Sequence, residues 1–571
     1  MKRRLFSLTC AALMVLSCQS ANEAYAAPKT QELSALYADY LAGSYAHEIE
    51  DRAAKHKFFT RAFLSQPKDT RIGRRAIVSA IEAGDMESAV KLAERVLKAE
   101  KTEPLARAVL GTNAFRKGRN SRALKYFSGR SSDATMTILM QLIRGWVEVD
   151  NKDYKAARGT FTNLEAGTYF DHYAELQLAK IDMLQGETDA ALARLDALEG
   201  TGVAPEESIL TRVRVLAAAD RRDEAIALLE ETIAENERFT IGPVGQSLER
   251  LKAGEELREF DTKMQASRAV TDPAFGFFLR NRSRDGAELY LRFAQWIAST
   301  NSKSGSWLGS LLEEEGDEGE QAAYEIYNAV PADDPYYISA QLNIAQIYFN
   351  REEDGKAIQT LESLNAQEQS VLTRESLGRA RFFRENYEEA LPFYKELVDS
   401  LTDEELTANI EPLRFRGIIY ERLKRWPEAE IDFKRVLELV PDDVDTLNYL
   451  GYTWVDRGEN LTEAFDMIRE AVNQQPESGA IVDSLGWAHY KLGEYGQARE
   501  NLEKAVVLSP SSATIIDHLG DVYWKLGRKR EAGFQWKRAL EFDPTDEERA
   551  TIELKLEKGL DAVPPANQAL P

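Results

Sequence analysis

The sequence predicts an all-α fold, a solenoid of stacked antiparallel helix pairs, and two observations predict it. The first is a period. Gly417, Gly451, Gly486 and Gly520 stand 34, 35 and 34 residues apart, and Ile77, Gly111, Gly145, Ala179 and Val213 stand 34 apart at every step. Self-similarity at a period of roughly 20–50 residues marks a repeat array. The second is what each period contains. Twelve residues after each marker in the N-terminal set comes an Ala: Ala89, Ala123, Ala157, Ala191 and Ala225. Bulky residues such as Phe127, Phe161, Leu195 and Leu229 follow four residues later, on the same helical face as the Ala. Small residues on two different helices let them approach closely. Gly inside a helix costs roughly 0.5–1 kcal/mol, so its recurrence implies close packing at that point.

At the N-terminus Lys2, Arg3 and Arg4 precede an apolar run from Leu5 to Leu16, which is too short to span a bilayer comfortably. Residues 1–26 therefore read as a secretory signal peptide. Two processing sites compete. Ala24-Tyr25-Ala26 suits cleavage beside small residues and gives a mature chain beginning at Ala27, which is the expected outcome. Val15-Leu16-Ser17-Cys18 resembles a bacterial lipobox, would lipidate Cys18, and would anchor the chain to the outer membrane. Cys10 and Cys18 are the only cysteines, so the exported chain is expected to hold by packing without a disulfide.

Residues 27–239 form the first array, with an earlier unit around Gly43, Ala54, Phe58 and Pro67. Gly84-Asp85, Lys117-Gly118 and Gly186-Glu187 fall between paired helices, where Gly can end a helix at positive φ. From 240 to 340 the register is lost, and helices but no repeats are expected. Leu289, Phe293, Trp296 and Ile297 share one helical face, Asn301 to Gly305 reads as a polar connector, and Glu313 to Glu320 as an acidic loop or helix end. This stretch is either a hinge between two superhelices or a degenerate part of one solenoid.

The pattern resumes over 341–545 with Ala345 and Ala357, then Gly378 and Ala390. The step from Gly378 to Gly417 is 39 residues, which places an insertion at Ser400 to Asn409. Residues 546–560 read as a polar capping helix, which the open end of an array needs, and 561–571 as a disordered tail.

Length does not count domains here, because arrays grow by adding neighbours. Lys and Arg number 72 and Asp and Glu 95, a formal net charge of −23. That balance argues against a nucleic-acid partner and keeps a large surface solvated. No HExxH, GxSxG or GxxxxGK[ST] motif occurs. Asp517, His518 and Asp521 read as a polar cluster rather than a metal site. An enzyme is not expected, nor a cofactor.

The unit Gly520, Tyr523, Ala532, Trp536, Ala539 and Pro544 resembles the tetratricopeptide repeat (TPR) family. The resemblance implies a right-handed superhelical solenoid of about 11–12 antiparallel helix pairs with an irregular helical segment in the middle. In that family the first helix of each pair lines the concave face. The register then places Asn448, Tyr452, Asp483, Trp487, Tyr490, Lys491, Asp517, Asp521, Trp524 and Lys525 along a binding strip. Aromatics beside charges suit peptide recognition, since a ring buries area at low entropy cost. The alternative for Trp487 and Trp524 is packing against the neighbouring pair.

Asp483-Ser484-Leu485-Gly486-Trp487, Asp517-His518-Leu519-Gly520-Asp521 and Gln535-Trp536-Lys537-Arg538-Ala539-Leu540 are more specific. They resemble exported TPR proteins of Gram-negative bacteria that include a lipoprotein adaptor of carboxyl-terminal processing proteases. That resemblance implies a cell-envelope scaffold in the periplasm, soluble or lipid-anchored. It would bind other envelope proteins or peptide segments and present clients to a peptidoglycan-related protease. An outer-membrane assembly or polysaccharide-export scaffold is the alternative.

Overall fold

The computed structural model describes residues 28–129, 133–164, 171–201, 205–257, 260–281, 283–367 and 371–563. The expected signal peptide with Cys18, and the tail beyond 563, lie outside them. The described residues hold 31 α-helices, two short 3-10 helices and no strand. None of these helices is long and apolar enough to cross a membrane. Consecutive helices pair, nine pairs up to residue 367 and five from 371 to 539, with Pro243–Lys252, Asp403–Ala408 and Asp546–Lys558 outside the pairs. The total of fourteen exceeds the eleven or twelve expected, because the stretch read as irregular contains further pairs.

The spacing seen in the sequence is a packing contact. A Cβ added to Gly111 would fall within 2.8 Å of the Phe127 ring, one on Gly486 within 2.8 Å of Leu502, and one on Gly520 within 2.8 Å of Trp536. Each partner lies sixteen residues on, on the second helix of the pair. The helices begin where carboxylates accept first-turn N–H groups, as Asp69, Asp85, Asp133, Asp153 and Asp443 do. Such caps are worth about 1 kcal/mol each. Turns between paired helices use Gly at positive φ, with Gly84 at 75° and Gly186 at 77°.

The chain divides into two compact units, Met1–Ser370 and Val371–Pro571. In the first, residues 240–340 hold two further helix pairs. Thr262–Asn281 pairs with Arg284–Ile297, and Ser302–Glu313 with Gly316–Asn328. The former pair lies against the first helices of the N-terminal array. Thr262–Asn281 packs on Ala134–Asp150, and Arg284–Ile297 on Thr70–Glu82 and Pro104–Arg116. The Tyr290 hydroxyl donates to the Thr135 carbonyl at 2.7 Å, and Arg292 to that of Glu82 at 2.8 Å. Arg52 pairs with Glu288 at 2.5 Å and Glu315 at 2.6 Å. Tyr290 and Phe293 are fully buried in the same core as Phe115, Ile143 and Trp146. The expected polar connector at Asn301 is a buried helix N-cap, its amide donating to Ser267 and Thr271.

The second unit holds the five C-terminal pairs. Its insertion is a short helix, Asp403–Ala408, fixed by a capping box between Thr402 and Glu405. The capping helix is present as Asp546–Lys558, followed by a 3-10 turn, Leu560–Ala562.

Candidate functional site

Three neighbouring first helices of the second unit carry the predicted strip. Val444–Arg457 bears Asn448 and Tyr452; Gly479–Lys491 bears Asp483, Trp487, Tyr490 and Lys491; Ala513–Lys525 bears Asp517, Asp521, Trp524 and Lys525. Residues four apart on one helix share a face, and the approach at Gly451, Gly486 and Gly520 sets the spacing to each second helix. Arg414 braces the start of the first of these helices through the Asp443 cap, at 2.9 Å.

At the middle helix the side chains are organised by rings. The Trp487 indole stacks on the His518 imidazole, centroids 4.0 Å apart at 16°, and on the Tyr490 ring at 4.6 Å and 12°. Two rings that close and parallel cannot share one indole face, so they sandwich it. His518 Nδ1 lies 3.0 Å and 3.1 Å from the two oxygens of Asp483. Lys491 reaches back to Asp456 at 3.1 Å. Tyr452 is half-buried, and burial together with the carboxylates of Asp456, Asp483 and Glu548 raises its hydroxyl pKa.

The last helix is not an open strip. Lys555, from the capping helix, is buried and donates to Asp517 at 2.6 Å and to Asp521 at 2.8 Å. The other Asp521 oxygen accepts from Trp536 Nε1 at 3.0 Å. Trp524 donates to Asp561 at 3.1 Å and packs on Trp536 and Gly559, while Lys525 pairs with Asp561 at 3.3 Å. The structure thus places Asp517 and Asp521 under the chain's own cap, ties Trp524 and Lys525 to Asp561 beside it, and gives both faces of Trp487 to its neighbours. What stays on the face is Asn448, Tyr452, the edge of Trp487 and the exposed side of Lys491.

Sequence reading missed Lys555 and the partnership of His518. A signal existed for both. Lys555 stands 34 residues after Asp521, and His518 35 residues after Asp483, so each is one period from a group it touches. No group of three or more His, Cys, Asp or Glu side chains among the described residues is placed to hold a metal ion; Lys555 occupies the space between Asp517 and Asp521.

His518 makes this site pH-dependent. Burial disfavours the imidazolium, but Asp483, helped by Asp517 and Asp521, overrides it and raises the pKa above the ordinary value. A raised pKa gives stabilisation that is fully present below about pH 6.5 and is lost as pH rises through the folded-state value. The stability gap between the wild type and His518→Gln should therefore be widest below about pH 6.5 and narrow on going alkaline. Thermal melts across the range check this; a gap that widens with pH contradicts it.

The comparisons with known proteins agree with the repeat geometry. A family model described as TPR repeat matches residues 486–527, and one described as tetratricopeptide repeat matches 513–546. The TPR repeat-containing protein PA4667 of Pseudomonas aeruginosa is 27% identical over 197 residues, 34% of this chain and 32% of that protein. The match thus spans about a third of the relative's length. Among solved structures, a tetratricopeptide repeat protein from Parabacteroides merdae is 19% identical, covering 45% of this chain and 97% of that one, at a TM-score of 0.37. A chain of the APC/C hetero-tetramer Cut9-Hcn1 is 15% identical, covering 91% and 95%, also at 0.37. Residues 486–546 are thus tetratricopeptide repeats, and the same small-to-bulky contact recurs within other helix pairs of the chain.

Proposed function

We propose that this protein is a non-enzymatic scaffold of the bacterial cell envelope that docks a segment of a partner protein on the exposed face of Val444–Arg457 and Gly479–Lys491. The observation that carries this reading is a pair of orphaned polar atoms on these adjacent helices. Asn448 Oδ1 and Trp487 Nε1 are buried and make no hydrogen bond within the chain. An unmet buried polar group costs about 1–3 kcal/mol. An acceptor and a donor of this kind, on the helices that carry Tyr452 and Lys491, would pair with a backbone N–H and C=O once a bound segment displaces the side chains that cover them. The first helices at 70–150 are covered instead, because Thr262–Ile297 lies on them.

The envelope location rests on the basic and apolar start of the chain, and a protease-client or peptidoglycan-related partner on the motifs around Gly486 and Gly520. The test begins with cross-linking in envelope extracts and mass spectrometry of what the chain captures. Tyr452→Ala should then weaken the captured partner by about 30-fold, the size of a hot-spot truncation near 2 kcal/mol, with helicity and melting unchanged. Wild-type affinity in a folded Tyr452→Ala chain would remove this face from the reading.

A further inference from the structure

The helix Pro28–Glu48 has one face in the fold and one outside it. Leu36 and Ala46 are buried, and Gly43 and Tyr40 meet the Phe59 ring on Arg52–Ser65. The opposite face carries Tyr37, Leu41 and Tyr45, which are 64%, 65% and 49% exposed, with Ile49 in the following turn 53% exposed. No described helix packs on it. These residues are spaced by four and form a continuous ridge. Beside the ridge runs a row of small residues with the same spacing: Ser34, Ala38 and Ala42, the first two exposed and Ala42 half-buried. A bulky row next to a shallow small-residue row is self-complementary, since the ridge of one such helix fits the groove of another.

We propose that this face joins two copies of the chain, their Pro28–Glu48 helices packed antiparallel about a two-fold axis. An isologous contact needs a patch that can face itself, and charge decides in favour of this one. The chain carries a net charge of −23, so most of its surface would repel a second copy. Between Leu33 and Ala46 the only charged residue is Asp39, which pairs with Arg61 of the neighbouring helix at 3.2 Å; Glu48 and Glu50 flank only the Ile49 end of the ridge. No Lys or Arg flanks the ridge within that stretch, as a helix lying on an anionic membrane would require. Two Tyr, a Leu and an Ile at these exposures offer roughly 400–500 Å² per copy. With the small row, a two-fold pairing buries about 1,000 Å² in total, the level at which specific interfaces begin.

The experiment uses the full chain with Cys10→Ser and Cys18→Ser. Sedimentation at tens of micromolar should give twice the chain mass, and Leu41→Glu should halve it while circular dichroism and melting stay unchanged. A second variant covers the case in which Leu41→Glu misfolds. Under mild oxidation Leu41→Cys should form a disulfide-linked dimer, whereas Ile431→Cys, which is 67% exposed in the second unit, should not. A monomeric wild type, a dimer indifferent to Leu41→Glu, or equal cross-linking at positions 41 and 431 overturns the proposal. So does a monomer whose ridge sediments with phosphatidylglycerol vesicles instead.

Discussion

Replacing Lys555 with Met is expected to cost about 3–5 kcal/mol, the penalty for stranding buried charge when one partner of an ion pair is removed. Lys555 is only 4% exposed and is the shared donor for Asp517 and Asp521. Without it, two carboxylates on one helical turn would face each other under the cap. Burial and the Asp517 charge already hold the Asp521 pKa up to about 6 even with the lysine in place. The sign of the pH dependence follows. The Lys555→Met penalty should be largest above about pH 6 and shrink on acidification, as Asp521 takes a proton and its charge disappears. Hydrogen exchange reads this locally, with protection lost across Ala513–Lys525 and Asp546–Lys558 and kept in Glu411–Arg422. Damage confined to a few tenths of a kcal/mol, or independent of pH, would contradict the buried-pair description.

Glu207→Gln should have a comparable effect in the first unit, about 3–5 kcal/mol. Glu207 accepts from Lys180 at 2.6 Å and lies 3.5 Å from Arg268, all in the region where Thr262–Asn281 is held. Burial by itself raises this carboxyl's pKa, but Lys180, Arg268 and Lys303 more than offset it and bring it down to about 2. A depressed acid pKa gives stability that is fully present above about pH 4.5 and is lost as pH falls from there through the folded value of about 2. The Gln variant should therefore lose most relative to wild type at neutral pH and converge with it in acid. The double variant Lys180→Met with Glu207→Gln should lose less than the sum of the two single changes, because the stranded ammonium is gone. Denaturant unfolding followed by exchange in Asp171–Leu184 and Pro205–Ala218 measures both; strict additivity would show that the pair does not interact.

The repeat units were legible because their spacing is the contact itself. Gly111 with Phe127 and Gly520 with Trp536 meet sixteen residues apart, and a fixed loop between two helices makes that number recur. The middle of the first unit hid its pairs by breaking the number. Gly309 meets Tyr327 eighteen residues on, and Thr262–Asn281 runs for 20 residues with Pro273 inside it. Its packing across the first helices at 70–150 was beyond any local pattern, since contacts such as Tyr290 to Thr135 join residues 155 apart.

The candidate site was legible in its positions and not in its occupancy. Asn448, Tyr452 and Trp487 stand on the helices the register assigned them. Asp517, Asp521 and Trp524 do too, but their partners Lys555 and Asp561 come from a segment whose charged composition reads only as solvated. Trp487 had two readings, hot spot or packing, and the stack on His518 and Tyr490 gives it largely to packing.

The central claim is that a partner segment lies across Asn448 and Tyr452. It is tested most directly by placing a photo-cross-linking amino acid at position 448, and separately at 431 and 514, and irradiating envelope extracts. Position 431 lies on the second-helix face and position 514 beside the cap, where Thr514 bonds Glu548. The account predicts a discrete adduct from 448, mapping to one segment of one partner, with none from 431 or 514. Adducts of equal yield at all three positions, or a specific adduct only at 431, would contradict it and move the binding surface to the second helices.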